Sequence, residues 1–142
     1  MQKNTGSQET VTVETIVHAP LEHVWKCWNE PDHITKWAYA SDDWEAPHAE
    51  NDLRAGGKFT TRMQAKDGSA GFDFGGVYTD VKKFELIEYD LGDSRHVKIE
   101  FTKLPDAIKV TETFDIEKMN SKEMQRKGWQ AILDNFKKYA ER

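Results

Sequence analysis

Cysteine is nearly absent. Cys27 is the only one in 142 residues, which excludes a disulfide within the chain and any zinc site built on several thiolates. Its place in an apolar helical segment suits a buried structural thiol. No hydrophobic run approaches the roughly 18 residues that suggest a membrane span, and the opening MQKNTGSQET lacks the apolar stretch of a secretory signal. The expected location is cytoplasmic. Basic blocks are missing too: 20 Lys and Arg are interspersed with 25 Asp and Glu, for a net charge of −5. Nothing in this pattern neutralises a run of phosphates, so nucleic acid is not an expected partner.

Catalytic spacings are equally scarce. The histidines His18, His23, His33, His48 and His96 show no HExxH or HxH arrangement and read as surface residues, so neither a metal site nor a cofactor is expected. Gly56-Gly57 precedes a strand rather than a helix, which does not fit a phosphate cradle. There is no GxSxG elbow and no evident Cys-His pairing.

What the chain does have is aromatic side chains: five Trp, seven Phe and four Tyr. Large rings dominate buried area in small domains, yet five tryptophans exceed the ordinary need of a core this size. Residues 1–9 are polar and expected to be disordered, leaving 10–142 as a single domain, a length that can bury a proper core.

Alternation over Thr10–Val17 predicts a half-buried strand. Ala19-Pro20 stops it, and Leu21, Val24, Trp25 and Trp28 follow at helical spacing. Asn29 ends that helix, and Pro31 starts a second carrying Ile34 and Trp37. Residues 38–51 lack periodicity and read as a long loop. Alternation then predicts strands at 58–65, 71–81, 84–91, 96–101 and 108–116, separated by turns such as Asp67-Gly68. Gly75-Gly76 suggests a bulge or sharp bend.

Residues 121–142 form one long amphipathic helix, opened by Asn120 with Glu123 as a capping-box-like pair and carrying Trp129, Ile132, Leu133, Phe136 and Ala140 on one face. About 20 helical residues span roughly 30 Å, enough to cover a small sheet. The fold class is therefore α+β, with a curved antiparallel sheet of about six or seven strands wrapped around the terminal helix. Gly128 is anomalous in a helix interior, where glycine costs about 1 kcal/mol relative to alanine. It marks either close backbone packing or a place where a guest needs room.

Glu112 shares strand phase with Val110 and Phe114, which turns its carboxylate towards the apolar side. Buried there, it needs a cation or acquires a raised pKa; the other reading is a twisted edge that leaves it solvated. Arg62 and Arg54 are candidate partners, although Arg62 is out of phase with Phe59 and Met63 unless a bulge shifts it. Asp42-Asp43-Trp44 would lie at a cavity mouth, its carboxylates either a general acid/base pair or weak cation site, or a solvated turn. Trp37, Trp44, Phe72, Phe74, Tyr78, Tyr89 and Trp129 are the aromatic set expected to line a pocket or pack the core.

Read in order, Ala19-Pro20-Leu21-Glu22-His23-Val24-Trp25, then Pro31 with Ile34 and Trp37, then the segment 52–59 (DLRAGGKF) form a recognisable series. Asp67-Gly68, Gly76-Val77-Tyr78, Val110-Thr111-Glu112-Thr113-Phe114 and the segment 128–133 (GWQAIL) continue it. The chain thereby resembles the START-like or SRPBCC superfamily. Within it, the chain is similar to bacterial proteins of the AHSA type, named for an activator of the heat-shock chaperone ATPase. The resemblance implies a helix-grip fold with an apolar cavity. Members bind lipids, sterols, polyketides or plant-hormone-like molecules, and some act as cyclases or hydroxylase components. The eukaryotic activator adds a separate chaperone-binding domain, for which 142 residues leave no room.

The first expectation is thus a binding protein for a small hydrophobic or aromatic ligand, in a cavity of a few hundred Å³. Trp129 and Phe74 would stack on it, and Glu112 and Arg62 would fix its polar ends. The alternatives are an acid/base enzyme, cyclase- or hydrolase-like, using Glu112 with Asp42 or Asp43, and a chaperone-interacting module.

Overall fold

Val11, Val13 and Val17, placed at every second or fourth position, bury one side of strand β1 (Thr10–Val17). The computed structural model describes residues 9–142. The disorder expected of residues 1–8 lies outside them, and Glu9 accepts hydrogen bonds from the Ile116 amide and from Lys122 Nζ. Pro20 takes the N-cap of α1 (Leu21–Asn29), and Pro31 begins α2 (Pro31–Ile34). Five strands then follow β2 (Trp44–Asn51): β3 (Lys58–Ala65), β4 (Gly71–Lys82), β5 (Leu86–Leu91), β6 (His96–Lys103) and β7 (Ile108–Asp115).

All seven strands form one antiparallel sheet in the order β1-β7-β6-β5-β4-β3-β2, curled as a half-barrel around α3 (Lys122–Ala140). The α+β helix-grip architecture is as the sequence leads one to expect. No helix among the described residues is long and apolar enough to cross a membrane.

Three local expectations are corrected. Residues 44–51, read as loop, are the edge strand β2. Its pairing with β3 shifts between Glu45 and His48, and its buried residues Ala46 and Ala49 are three apart rather than two. Pro47 sits in that irregularity, where an edge strand tolerates a missing N–H. At Gly75-Gly76 there is no bulge, since both pair regularly with Thr60 and Phe59; the irregularity comes later, between Tyr78 and Asp80. These glycines serve close approach instead. A Cβ on Gly75 would lie 2.6 Å from the Phe59 carbonyl oxygen, and one on Gly76 2.4 Å from that of Asp90. Finally, α3 is capped by Ser121, whose hydroxyl accepts the Met124 amide at 3.1 Å. Asn120 instead donates its backbone and side-chain N–H groups to the Glu117 carboxylate.

The C-terminal half of α3 is held tightly. Leu133, Phe136 and Ala140 are fully buried, and the Phe136 ring lies 4.8 Å from Trp28 and 4.9 Å from Trp37. Burying an aromatic side chain of this kind contributes about 1.5–3 kcal/mol. The helix end is also tied down by three histidines. His33 Nδ1 meets Tyr139 Oη, His23 Nε2 donates to the Ala140 carbonyl at 3.0 Å, and the His18 amide donates to the Glu141 carboxylate at 2.8 Å.

Candidate functional site

Where α3 crosses the remaining concave face, packing stops short. A cavity of about 670 Å³ lies between the N-terminal half of the helix and strands β3 to β7, a size within the range of small-molecule sites. Strand alternation builds its wall: Phe59, Thr61 and Met63 point inward from β3, Phe74 and Tyr78 from β4, and Tyr89 from β5. Across the sheet Ile87 pairs with Ile99 and Ile99 with Glu112, so one cross-strand row runs apolar, apolar, carboxyl.

Glu112 is 6% exposed, and its carboxyl makes no hydrogen bond or ion pair with any described residue. Loss of water pushes its pKa up to about 8, as expected for a buried acid without a compensating charge. The expected inward phase is therefore present, and the solvated-edge reading falls. Tyr89 is buried as well, its Oη unpartnered among the described residues; burial, then the neighbouring Glu112, raise its pKa well above the usual value. Tyr78 differs, because its hydroxyl donates to Asn51 Oδ1 at 2.5 Å, and burial raises its pKa in spite of that bond.

Neither arginine reaches Glu112. Arg62 keeps the outward phase that β3 gives it, pairing with Asp73 at 3.5 Å and donating to Gln64 Oε1, and it is not part of the cavity wall. Arg54 is exposed and engaged by Asp52 at 2.9 Å. Asp42 and Asp43 also stand away from the cavity: both are exposed, and Asp43 accepts the Ser41 hydroxyl while its carbonyl receives the Lys66 amide. They serve the turn into β2 rather than a mouth. Trp44 lies outside the wall too, its ring 6.1 Å from Phe72, which does line the cavity and is 48% exposed at its rim.

The other aromatic candidates meet there. Trp129 stacks face to face on Phe114 at 4.0 Å and turns its edge to Phe74 at 5.9 Å. Trp37 contributes its ring to the wall while its Nε1 donates to the Cys27 carbonyl at 2.9 Å. Beside Trp129, a Cβ added to Gly128 would meet nothing within 4 Å. Close backbone packing is thus not the reason for this glycine; it faces open cavity.

Several wall residues escape sequence reasoning. Arg95, whose Nε donates to both Asp93 oxygens at 2.9 Å, was hidden in a turn whose backbone is reversed by Ser94 at φ +76°. Gln125 was legible in principle, since it precedes Gly128, Trp129 and Ile132 by 3, 4 and 7 residues on the same helix face. It is buried and clamps the loop before α3, accepting the Glu117 amide and donating to the Glu117 and Asn120 carbonyls.

Among the described residues no group of three or more His, Cys, Asp and Glu side chains could hold a metal ion. A Cys-His contact, absent from the sequence reading, does exist: Cys27 Sγ lies 3.5 Å from His23 Nε2. It is not an activated pair. The nearer nitrogen donates to the Ala140 carbonyl and cannot accept the thiol proton, Nδ1 stands off at 4.0 Å, and burial raises the Cys27 pKa.

Solved structures share this architecture. An AHSA1-like protein from Aeromonas hydrophila is 42% identical with a TM-score of 0.88, covering 94% of this chain and 92% of its own. A protein from Cytophaga hutchinsonii is 57% identical with a TM-score of 0.81, covering 93% and 92%. A Chromobacterium violaceum protein at 22% identity and a TM-score of 0.82, covering 94% and 97%, shares the fold. Among curated proteins, CBL-interacting serine/threonine-protein kinase 14 of Arabidopsis thaliana is 27% identical over 85 residues, 60% of this chain; the match spans only 18% of the kinase. The family model described as Activator of Hsp90 ATPase homolog 1-like protein matches residues 18–141. With nearly the whole described chain inside that match, the protein belongs to the Activator of Hsp90 ATPase homolog 1-like family.

Proposed function

We propose that residues 10–142 act as one ligand-binding domain that takes up a small hydrophobic or aromatic molecule between the curled sheet and α3. One observation carries this reading: a cavity of about 670 Å³ whose wall holds the buried, unpartnered carboxyl of Glu112. Protein interiors leave few voids larger than a water molecule, and their buried polar groups are paired. Both rules are broken here at the same place. Trp129 and Phe74 offer ring area, Gly128 leaves the helix side open, and Phe72 at the rim supplies an apolar approach.

Titration with the neutral apolar fluorophore N-phenyl-1-naphthylamine tests it. The parent protein is expected to enhance its emission with a saturable isotherm. Gly128→Leu, which places a side chain in the open space, is expected to weaken binding at least about tenfold while keeping the far-ultraviolet circular dichroism of the parent. Equal binding by the two proteins would place the fluorophore elsewhere and remove the support.

The pKa of Glu112 favours a second reading, proton transfer in the same cavity, because a carboxyl poised near 8 exchanges its proton readily around neutral pH. Asp42 and Asp43 do not reach it; the Tyr89 hydroxyl, whose pKa Glu112 helps to raise, is the polar group beside it. Deuterium uptake at the α-carbon of 2-tetralone is the measurement: catalysis by the parent and not by Glu112→Gln supports an enzyme, and equal rates dismiss it.

A further inference from the structure

Charge is distributed one-sidedly around the cavity. Among the described residues, Glu50, Asp73, Asp93, Glu112 and Glu117 contribute to its wall and rim, against a single cation, Arg95, and no lysine or histidine. That cation is already engaged by Asp93. The rim carboxylates also have partners: Glu50 lies 3.1 Å from His48 Nε2, Asp73 3.5 Å from Arg62, and Glu117 accepts two hydrogen bonds from Asn120. Glu112 alone has none, and it is the most buried of the five.

Its surroundings do not supply the missing charge. Its neighbours across the ladder are Val13 on β1 and Ile99 on β6, both apolar, and the α3 residues in the wall, Met124, Gln125, Gly128, Trp129 and Ile132, carry no charge. The rings of Trp129, Phe74, Tyr89 and Phe59 stand around the same space, with Phe59 and Tyr89 4.6 Å apart. Aromatic faces attract cations, and more strongly when water is excluded.

We propose that the guest is a hydrophobic amine: an apolar or aromatic body among these rings, with a protonated nitrogen that pairs with Glu112. The inference rests on the cavity being a ligand site. A ligand carboxylate would add an anion to a wall already rich in them. A neutral alcohol would satisfy Glu112 only while that group keeps its proton. An ammonium supplies the one partner that the described residues do not, and a buried carboxylate is sustained by a paired cation.

A proton balance follows. Near pH 7 the empty site holds Glu112 mostly as the acid, since its pKa is about 8. Pairing with an ammonium converts it to carboxylate, and its proton passes to the buffer while the amine keeps its own. Affinity therefore rises with pH up to about 8, by at most about tenfold per unit, and then levels. Tyr78 and Tyr89 are held neutral by burial over this range, Glu117 is held ionised by Asn120 and Asp93 by Arg95, so none of them produces the same profile.

Three compounds of one shape provide the test: 1-naphthylmethylamine, 1-naphthalenemethanol and 1-naphthoate, measured by calorimetry at pH 7 in two buffers of different ionisation enthalpy. The amine is expected to bind at least about tenfold tighter than the alcohol, with close to one proton released, and the carboxylate weakest. Glu112→Gln is expected to erase the amine's advantage while leaving the alcohol within about threefold. An alcohol or carboxylate that binds as tightly as the amine, or an advantage that survives in Glu112→Gln, overturns the inference. If N-phenyl-1-naphthylamine binds and none of the three does, the amine assignment falls alone; if that fluorophore fails as well, the cavity reading falls with it.

Discussion

Glu112 works against the stability of the fold that holds it. Its carboxyl ionises near the usual value of about 4.3 when the chain is unfolded and at about 8 when folded, so the folded state binds its proton more tightly. Below the unfolded value both states are protonated and the group costs nothing electrostatically. As pH rises from about 4.5 to 8, only the unfolded state gains by ionising, and stability falls by up to roughly 1.4 kcal/mol per unit. The expected outcome for Glu112→Gln, which is neutral at every pH, is a gain of several kcal/mol at pH 8 that disappears by pH 4. Urea unfolding across this range measures it, and a gain independent of pH would show that burial does not shift this group. The inward direction of Glu112 was legible from its phase with Val110 and Phe114. Its isolation was not, because alternation tells which face a side chain takes and not which neighbours are already engaged. Arg62 is held by Asp73, which the β3–β4 pairing sets opposite it, and by Gln64 two residues along its own strand.

Helix α3 shows what a stripe of apolar residues can and cannot say. Spacing located the helix and its buried face, since Leu133 and Phe136 must lie together on any 3.6-residue period. It did not show that this face meets two environments, a ring cluster near Trp28 and Trp37 and a void near Gly128. Because nothing opposes a Cβ at Gly128, Gly128→Ala is expected to stabilise the protein by about 1 kcal/mol, the difference in helix propensity. Thermal unfolding compared with the parent checks this, and a loss of stability would restore the close-packing explanation. Strand β2 escaped notice for a related reason. Pro47 and the register shift beside it break the two-residue period, so the buried Ala46 and Ala49 fit no strand template.

At the scale of the molecule, the order of elements was enough to foresee a curled sheet around a terminal helix, because that is the simplest packing that covers the apolar face of such a meander. The site was less legible, since its wall draws on six strands and all three helices, and a turn residue such as Arg95 enters it only through tertiary geometry. The three histidines that tie the end of α3 carry a consequence for motion. They fasten the helix at Tyr139, Ala140 and Glu141, where its flank is also packed, while its first turns are held by the Gln125 clamp and by Lys122 and Arg126 reaching Glu9 and Thr12, with the cavity beside them. Local opening follows contact density, so α3 is expected to open first at its N-terminal end. Amides of residues 126–129 are expected to exchange with solvent at least tenfold faster than those of 133–140, and to slow when the cavity is filled. A guest would stiffen these opening turns first, with the sheet and the rest of the helix left as they are.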